Sequence, residues 1–396
     1  MPSKSMNLVT KVEMKILLVS LLAFNAHRVM LPVHGLSVAA PKTNKQDFHQ
    51  RTFRYVPYGE DAPKITSSDG KDTPVPTIAC DGRVKGATLE LTHWTGNETP
   101  DFLYADTSTE MALKFASATT TNDDDDDDDS SLSRKYKNAV VLNNHYDTDG
   151  VLSSWSCIQQ LDNDWISKYK TLLIEGAEAG DFEEWSSDLG VKLNLCIEGI
   201  CYEALSEEEA YEIVLEEGFL PNLLDDLLAT GGEGYKHLWE SGFDHALQGY
   251  KDIQEGRCVL RQGPGNIVIL EEKSGGARLS SYALFRGLRE KNLWKGTTRI
   301  LRVTKNEATI SPSYGYQYEK IGHGWVQKLV DRHMVPDADG DELSERINEL
   351  SDNKTEWVSG GSGGLIAICK TQGSAPTSPM HPDEVASIFS SIDDGA

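Results

Sequence analysis

Hydrophobic and polar positions along the chain mark out alternating strands and helices. In GATLELTHW, Gly86 to Trp94, Ala87, Leu89 and Leu91 alternate with Thr88, Glu90 and Thr92. That is the period of a half-buried strand, and His93 continues its inward face. Past a loop with Pro100, ADTSTEMALKF predicts a helix with Met111, Ala112 and Phe115 on its apolar side. Asp106 or Thr107 can cap it, and Glu110 stands three residues beyond Thr107, at the capping-box position. Ala139 to Leu142 is a consecutive apolar run with two β-branched members, read as a buried strand. Val151, Leu152, Trp155 and Ile158 then share one helical face. A second helix is predicted from about 164 to 179 and ends at Gly180, Asp181 and Phe182. Another opens at LSEEEAYEIVLEE, with Ser206 as cap and Glu209 as its box partner. Helical spacing continues to about residue 255.

The character then changes. NIVILEEK, TTRILRVTK and ATISPSYGYQYEK read as strands, ARLSSYALFRGLR as a helix between the first two, and GDELSERINELSD as a later helix. A strand–helix–strand sequence implies a parallel sheet with a right-handed crossover. The expected fold class is therefore α/β, a parallel sheet flanked by helices, followed by a smaller α+β C-terminal domain. The expected boundaries are 1–45 for a targeting segment and linker, 46–255 for the α/β domain, and 256–396 for the second domain. Residues 46–85 mix Pro, Gly, Asp and Ser and are expected to wrap the first domain with little regular structure.

Charge refines this picture. The 396 residues carry a formal net charge of −24, which argues against duplex nucleic acid or an anionic membrane as a general partner. Seven consecutive aspartates, Asp123 to Asp129, repel one another and bury nothing, so 117–135 is expected to be a disordered surface insertion. The six cysteines are scattered, which excludes a disulfide scaffold and favours free thiols. Lys4, Lys11 and Lys15 precede the apolar ILLVSLLAF, and small residues follow. That is the form of a signal peptide, with an organelle presequence as the competitor. The expected mature chain is soluble, secreted or in a plastid-type organelle. No later segment has the length of a membrane helix.

The candidate chemistry gathers where strands are predicted to end. His93 and Asp106 follow the first strand; His145, Asp147 and Asp149 follow the second; Asp181 ends a helix. In a parallel sheet such residues meet beyond the carboxyl ends of the strands. Carboxylates and imidazoles suit Mn²⁺ or Mg²⁺, whereas thiolates would point to zinc. Gly150 lets the backbone turn tightly into a helix whose N-terminal amides favour an anion. Asp147 and Asp149 are also good helix caps. Asp337 to Glu342, DADGDE, fails the spacing of a calcium loop and reads as a turn. Arg278, Arg286, Arg289, Arg299 and Arg302 are candidates to grip phosphate or else ordinary surface charges.

HYDTDGVLS resembles the first motif of the DHH phosphoesterase superfamily, a His-x-Asp-x-Asp-Gly-like turn between a strand and a helix. The resemblance implies a Mn²⁺ or Mg²⁺ site using His145, Asp147 and Asp149; the family's further metal aspartates have no clear match, and His93, Asp106 and Asp181 are candidate ligands by position alone. It also implies metal-activated water as the nucleophile, and a small phosphorylated substrate or short oligonucleotide. The name-giving Asp-His-His motif is absent; FDHAL offers only Asp244 and His245. YDTDGVLSS also resembles the haloacid dehalogenase motif, which implies Asp147 as nucleophile and Asp149 as acid and base. A third reading is a catalytically degenerate relative that binds a nucleotide or a partner. Over most of its length the chain resembles an uncharacterised family of bacterial and algal proteins, which implies no activity.

Overall fold

The computed structural model describes residues 51–65, 74–120, 132, 135–159, 163–216, 218–273, 278–293, 299–306, 312–320, 326–332, 340–350, 356–359, 366–372 and 377–393. The expected targeting segment, the aspartate run and the first three residues of DADGDE lie outside them.

Four short strands build the first sheet: β1 (Thr52–Tyr55), β2 (Thr77–Cys80), β3 (Leu89–Leu91) and β4 (Val140–Asn143). Their order is β1-β4-β2-β3, and every pairing is parallel. Two of these strands, β1 and β2, lie in the stretch expected to have little regular structure. Both faces of the sheet are covered, so β2 and β4 are buried at every position. Alternation along the strands splits the core. Ile78, Cys80, Leu91 and Val141 pack against Met111, Ala112 and Phe115 of α1 (Ser108–Thr120) and Cys157 and Ile158 of α2 (Thr148–Ile158). Ala79, Val140 and Leu142 face the irregular segments on the other side, against Val56 and Val84.

Helices α3 (Asn163–Phe182), α4 (Asp188–Glu203), α5 (Glu207–Val214), α6 (Phe219–Thr230) and α7 (Lys236–Gln254) form a bundle against α2. Its shared core includes Leu152, Trp155, Leu173, Leu193, Ile197, Leu223 and Phe243.

A second sheet, β5-β6-β7-β8-β10-β9, is mixed. It comprises β5 (Val259–Gln262), β6 (Ile267–Lys273), β7 (Arg299–Asn306), β8 (Ser313–Lys320), β9 (Glu356–Ser359) and β10 (Ile366–Gln372). β6 and β7 run parallel, joined through α8 (Ser281–Glu290), as a parallel pair requires. One face packs on α8 and on Ile253 of α7; the other packs on α9 (Gly340–Leu350) and α10 (Pro382–Asp393). Among the described residues, no helix is long and apolar enough to cross a membrane. Cys80, Cys157, Cys196, Cys201 and Cys258 are free thiols, and Cys80 Sγ lies 3.6 Å from Cys157 Sγ.

Candidate metal centre

The carboxyl ends of β2, β3 and β4 deliver Asp81, His93 and the His145–Asp149 turn to one edge of the first sheet. α3 brings Asp181 to the same place with its last turn. Two groups of ligand atoms result, each within 4.8 Å: Asp81, His93, Asp149 and Asp181, and Asp81, His145 and Asp147. Asp81 belongs to both. Its Oδ2 lies 2.9 Å from His145 Nε2, and its Oδ1 lies 3.4 Å from His93 Nε2. Asp147 Oδ2 is 3.1 Å from His145 Nε2, and Asp181 Oδ2 is 3.5 Å from His93 Nε2.

The first group is sealed and the second opens outward. Side-chain exposure is 1% for Asp81 and for His93 and 7% for Asp181, against 15% for His145 and 40% for Asp147. The ring of Trp94 stands 5.1 Å from that of His145.

Each ligand is held by local structure. Asp147 caps α2: its Oδ1 accepts from Gly150 N at 2.7 Å, leaving Oδ2 on His145. Asp149 crosses to the N-terminus of α1, where Ser108 N and Thr109 N donate to its two oxygens at 2.6 and 2.7 Å. The positive end of a helix thus steadies a buried carboxylate, and each oxygen keeps a second lone pair. Ser108 Oγ donates to Asp81 Oδ1 at 3.1 Å.

Both imidazoles have a fixed orientation. His93 Nδ1 is 2.7 Å from the carbonyl oxygen of Asp106, which can only accept, so Nδ1 carries the hydrogen. Asn144 Nδ2 donates to Arg83 O at 2.9 Å, which turns Asn144 Oδ1 to His145 Nδ1 at 3.0 Å. Again only an acceptor faces Nδ1. In both rings Nε2 points at carboxylates.

The charges are unbalanced. Four carboxylates face two imidazoles, and each like-charge pair near 4 Å costs on the order of 4 kcal/mol at an effective dielectric constant of about 20. Burial, with help from Asp81, pushes Asp149 up to about 6. Burial and the charges of Asp149 and Asp81 hold Asp181 well above its ordinary value. Burial disfavours ionised Asp81, but His145, His93 and Ser108 more than offset it and bring Asp81 down to about 2. His145 is likewise opposed by burial, yet Asp147 and Asp81 raise it well above 6.5. The excess of negative charge thus favours positive counter-charge among these oxygens. Asp81 Oδ2 and Asp181 Oδ2 are buried without a hydrogen-bond donor in bonding geometry. Buried carboxylate oxygens without donors, beside two oriented imidazoles, form a donor set that could hold a divalent cation.

Of the residues singled out from sequence, His93, His145, Asp147, Asp149 and Asp181 come together. Asp106 does not: its carboxylate, 2% exposed, binds Arg332, and only its backbone carbonyl serves the site. Asp244 and His245 lie on the exposed side of α7. Arg278, Arg286, Arg289 and Arg302 are paired with Glu319, Asp188 and Glu290, Glu184, and Glu272 and Glu319 respectively. Asp81 was not legible as a candidate, although VPTIACDG carries a signal: an apolar run ending in Asp-Gly, as in the second unit.

Residues 51–395 match the model of a family of unknown function, DUF6687. This agrees with the resemblance to an uncharacterised family. No curated protein matches the chain. Among solved structures, the pGpG-specific phosphodiesterase PggH from Vibrio cholerae is similar over 75% of this chain and 92% of its own length. The identity is 11% and the TM-score 0.25.

Proposed function

We propose that this chain, which belongs to the family of unknown function DUF6687, is a phosphoesterase that works with two divalent cations, Mn²⁺ or Mg²⁺, sharing Asp81. The observation that carries the reading is the arrangement around Asp81. One buried carboxylate turns one oxygen to each of two oriented imidazoles, and three further carboxylates close the two groups. The resemblance of HYDTDG to the first DHH motif points the same way.

In this reading Asp81, His145 and Asp147 hold the outer cation, and Asp81, His93, Asp149 and Asp181 the inner one. Bound there, a cation pair supplies a water activated at neutral pH and stabilises charge developing on the phosphoryl oxygens. The rest falls to the chain. Asn144 and the Asp106 carbonyl retain the Nδ1 protons, so each Nε2 remains an electron-pair donor. Burial and neighbouring carboxylates raise Asp149 and Asp181, and positive charge held among them would offset that rise. The backbone amides of Ser108 and Thr109 keep Asp149 from swinging toward an incoming phosphate. Asp147 and Trp94 flank the open side, where a small phosphorylated substrate or short oligonucleotide would enter.

The dehalogenase-like alternative needs Asp147 free to attack phosphorus. Its Oδ1 is committed to the cap of α2 and its Oδ2 to His145, which supports the ligand role instead. The test is Mn²⁺-dependent hydrolysis of bis-p-nitrophenyl phosphate. The account expects turnover abolished by chelator and by Asp147→Asn. Turnover unaffected by either, or an acyl-phosphate trapped on Asp147, would overturn it.

A further inference from the structure

A short strap from the second half of the chain, residues 326–332, lies across the site edge. Val326 bridges to Trp94, and Gln327 N donates to His93 O at 2.7 Å. Val330 N and Asp331 N donate to the Asp106 carboxylate. The strap ends on Arg332, whose guanidinium serves three carboxylates. Nη1 reaches Asp106 at 2.8 Å, Nη2 reaches Glu178 at 2.8 Å, and Nε and Nη2 fork onto Glu184 at 3.0 and 3.1 Å. The guanidinium also lies over the ring of Phe182, 4.2 Å from its centre. Asp106 and Glu184 are almost fully buried.

These three carboxylates lie next to the inner group in a specific way. Asp106 is the residue whose carbonyl receives the Nδ1–H of His93. Glu178 and Glu184 bracket Asp181 in sequence. They are drawn together across the end of α3, where Glu184 N bonds Glu178 O and Glu183 takes a left-handed φ of 51°. One guanidinium thus fixes the backbone that aims His93 and the turn that aims Asp181. It touches neither His145 nor Asp147.

We propose that Arg332 is a positioning residue for the inner cation group alone. It couples docking of the 326–332 strap to assembly of the His93 and Asp181 ligands. The inference rests on the two-cation reading above. Arg suits the role because a planar fork can meet three carboxylates at once, whereas Lys, a point charge, cannot. Losing a partner that orients a metal ligand typically lowers metal affinity by about ten- to hundredfold.

The test is calorimetric titration of the metal-stripped full chain with MnCl₂, together with ¹⁵N NMR of the His93 ring. Wild type is expected to take up two cations. In Arg332→Lys the inner event weakens by at least about tenfold while the outer stays within about twofold, and the His93 Nδ1–H signal shifts. Should Arg332→Lys fail to fold, Glu178→Gln removes only the most exposed of the three carboxylates and is expected to give the same selective loss. Both events weakening in step, or neither weakening, would overturn the proposal. If wild type binds no cation yet the His93 signal shifts in Arg332→Lys, the metal reading falls and the positioning role stands. If neither occurs, both fall.

Discussion

Asp81 and His145 meet through Oδ2 and Nε2 at 2.9 Å, at the exits of two adjacent parallel strands. Neither side chain could hold this position alone. Asn144 fixes the imidazole by its far nitrogen, and Ser108 binds the other carboxylate oxygen of Asp81. The contact therefore ties a helix start and two strand ends to one point. His145 Nε2 also hydrogen-bonds Asp147 Oδ2 at 3.1 Å, so the imidazole stands between two carboxylates.

Asp81 is the group common to both ligand sets, so its loss differs from that of any other ligand. Asp81→Asn keeps the shape and removes the charge. Titration with Mn²⁺ is expected to show both cation events weakened by more than about a hundredfold, beyond the loss of a merely orienting partner. Retention of one event at wild-type affinity would mean the two groups do not share this residue.

Asp147 has two separable duties. Asn is also a good helix cap, so Asp147→Asn is expected to keep the melting temperature near wild type while losing the outer cation. Asp147→Ala loses the cap as well and is expected to be less stable by about 1 kcal/mol in urea unfolding. Equal stability of the two variants would remove the capping role.

Gly82 stands where a side chain cannot. A Cβ there would lie 1.9 Å from Asn144 Oδ1 and 3.0 Å from His145 Nδ1. Gly82→Ala is expected to cost about 1–3 kcal/mol of stability and to displace the pair that orients His145. Unfolding curves and Mn²⁺ affinity measured on the same variant check both effects.

The sequence carried the second strand–turn–helix unit well. The run Ala139 to Leu142 is buried on both faces, and a short β-branched apolar run followed by a capping Asp is a strong local signal for a strand and then a helix. His93, His145, Asp147 and Asp149 were singled out by the rule that polar strand exits converge in a parallel sheet, whereas Asp181, at the end of a helix, was a candidate by position alone. β2 was missed because four residues among Pro, Gly and Ser make a weak periodic signal, and Asp81 went with it. Asp106 was a candidate ligand by position alone, beside its reading as a helix cap. Only the fold reveals that Arg332, distant in sequence, claims its carboxylate. Such long-range pairing leaves no local pattern to read.

The metal-free site has a definite pH signature. Asp149 is raised from 3.8 to about 6, so its stabilising contribution is complete below 3.8 and is lost as pH rises through 6. His145 is raised above 6.5, so its contribution is present below 6.5 and is lost as pH climbs through its folded value. Asp81 is lowered from 3.8 to about 2, so its contribution is fully present above 3.8 and is lost as pH falls through 2. The apo protein is thus expected to melt at a higher temperature at pH 5 than at pH 8. With saturating Mn²⁺ the order reverses, because protons compete with the cation for the same lone pairs. An apo protein whose melting temperature rises from pH 5 to pH 8 would contradict these protonation states.

The most direct measurement is electron paramagnetic resonance during stepwise addition of Mn²⁺ to the metal-stripped chain. Two ions sharing the Asp81 carboxylate would be close enough to couple magnetically, since paired catalytic ions are typically about 3.5–4 Å apart. The account predicts uptake of two equivalents, with the six-line signal of isolated Mn²⁺ giving way to a broad exchange-coupled spectrum as the second binds. A six-line spectrum persisting at full loading, or no tight uptake, would contradict it.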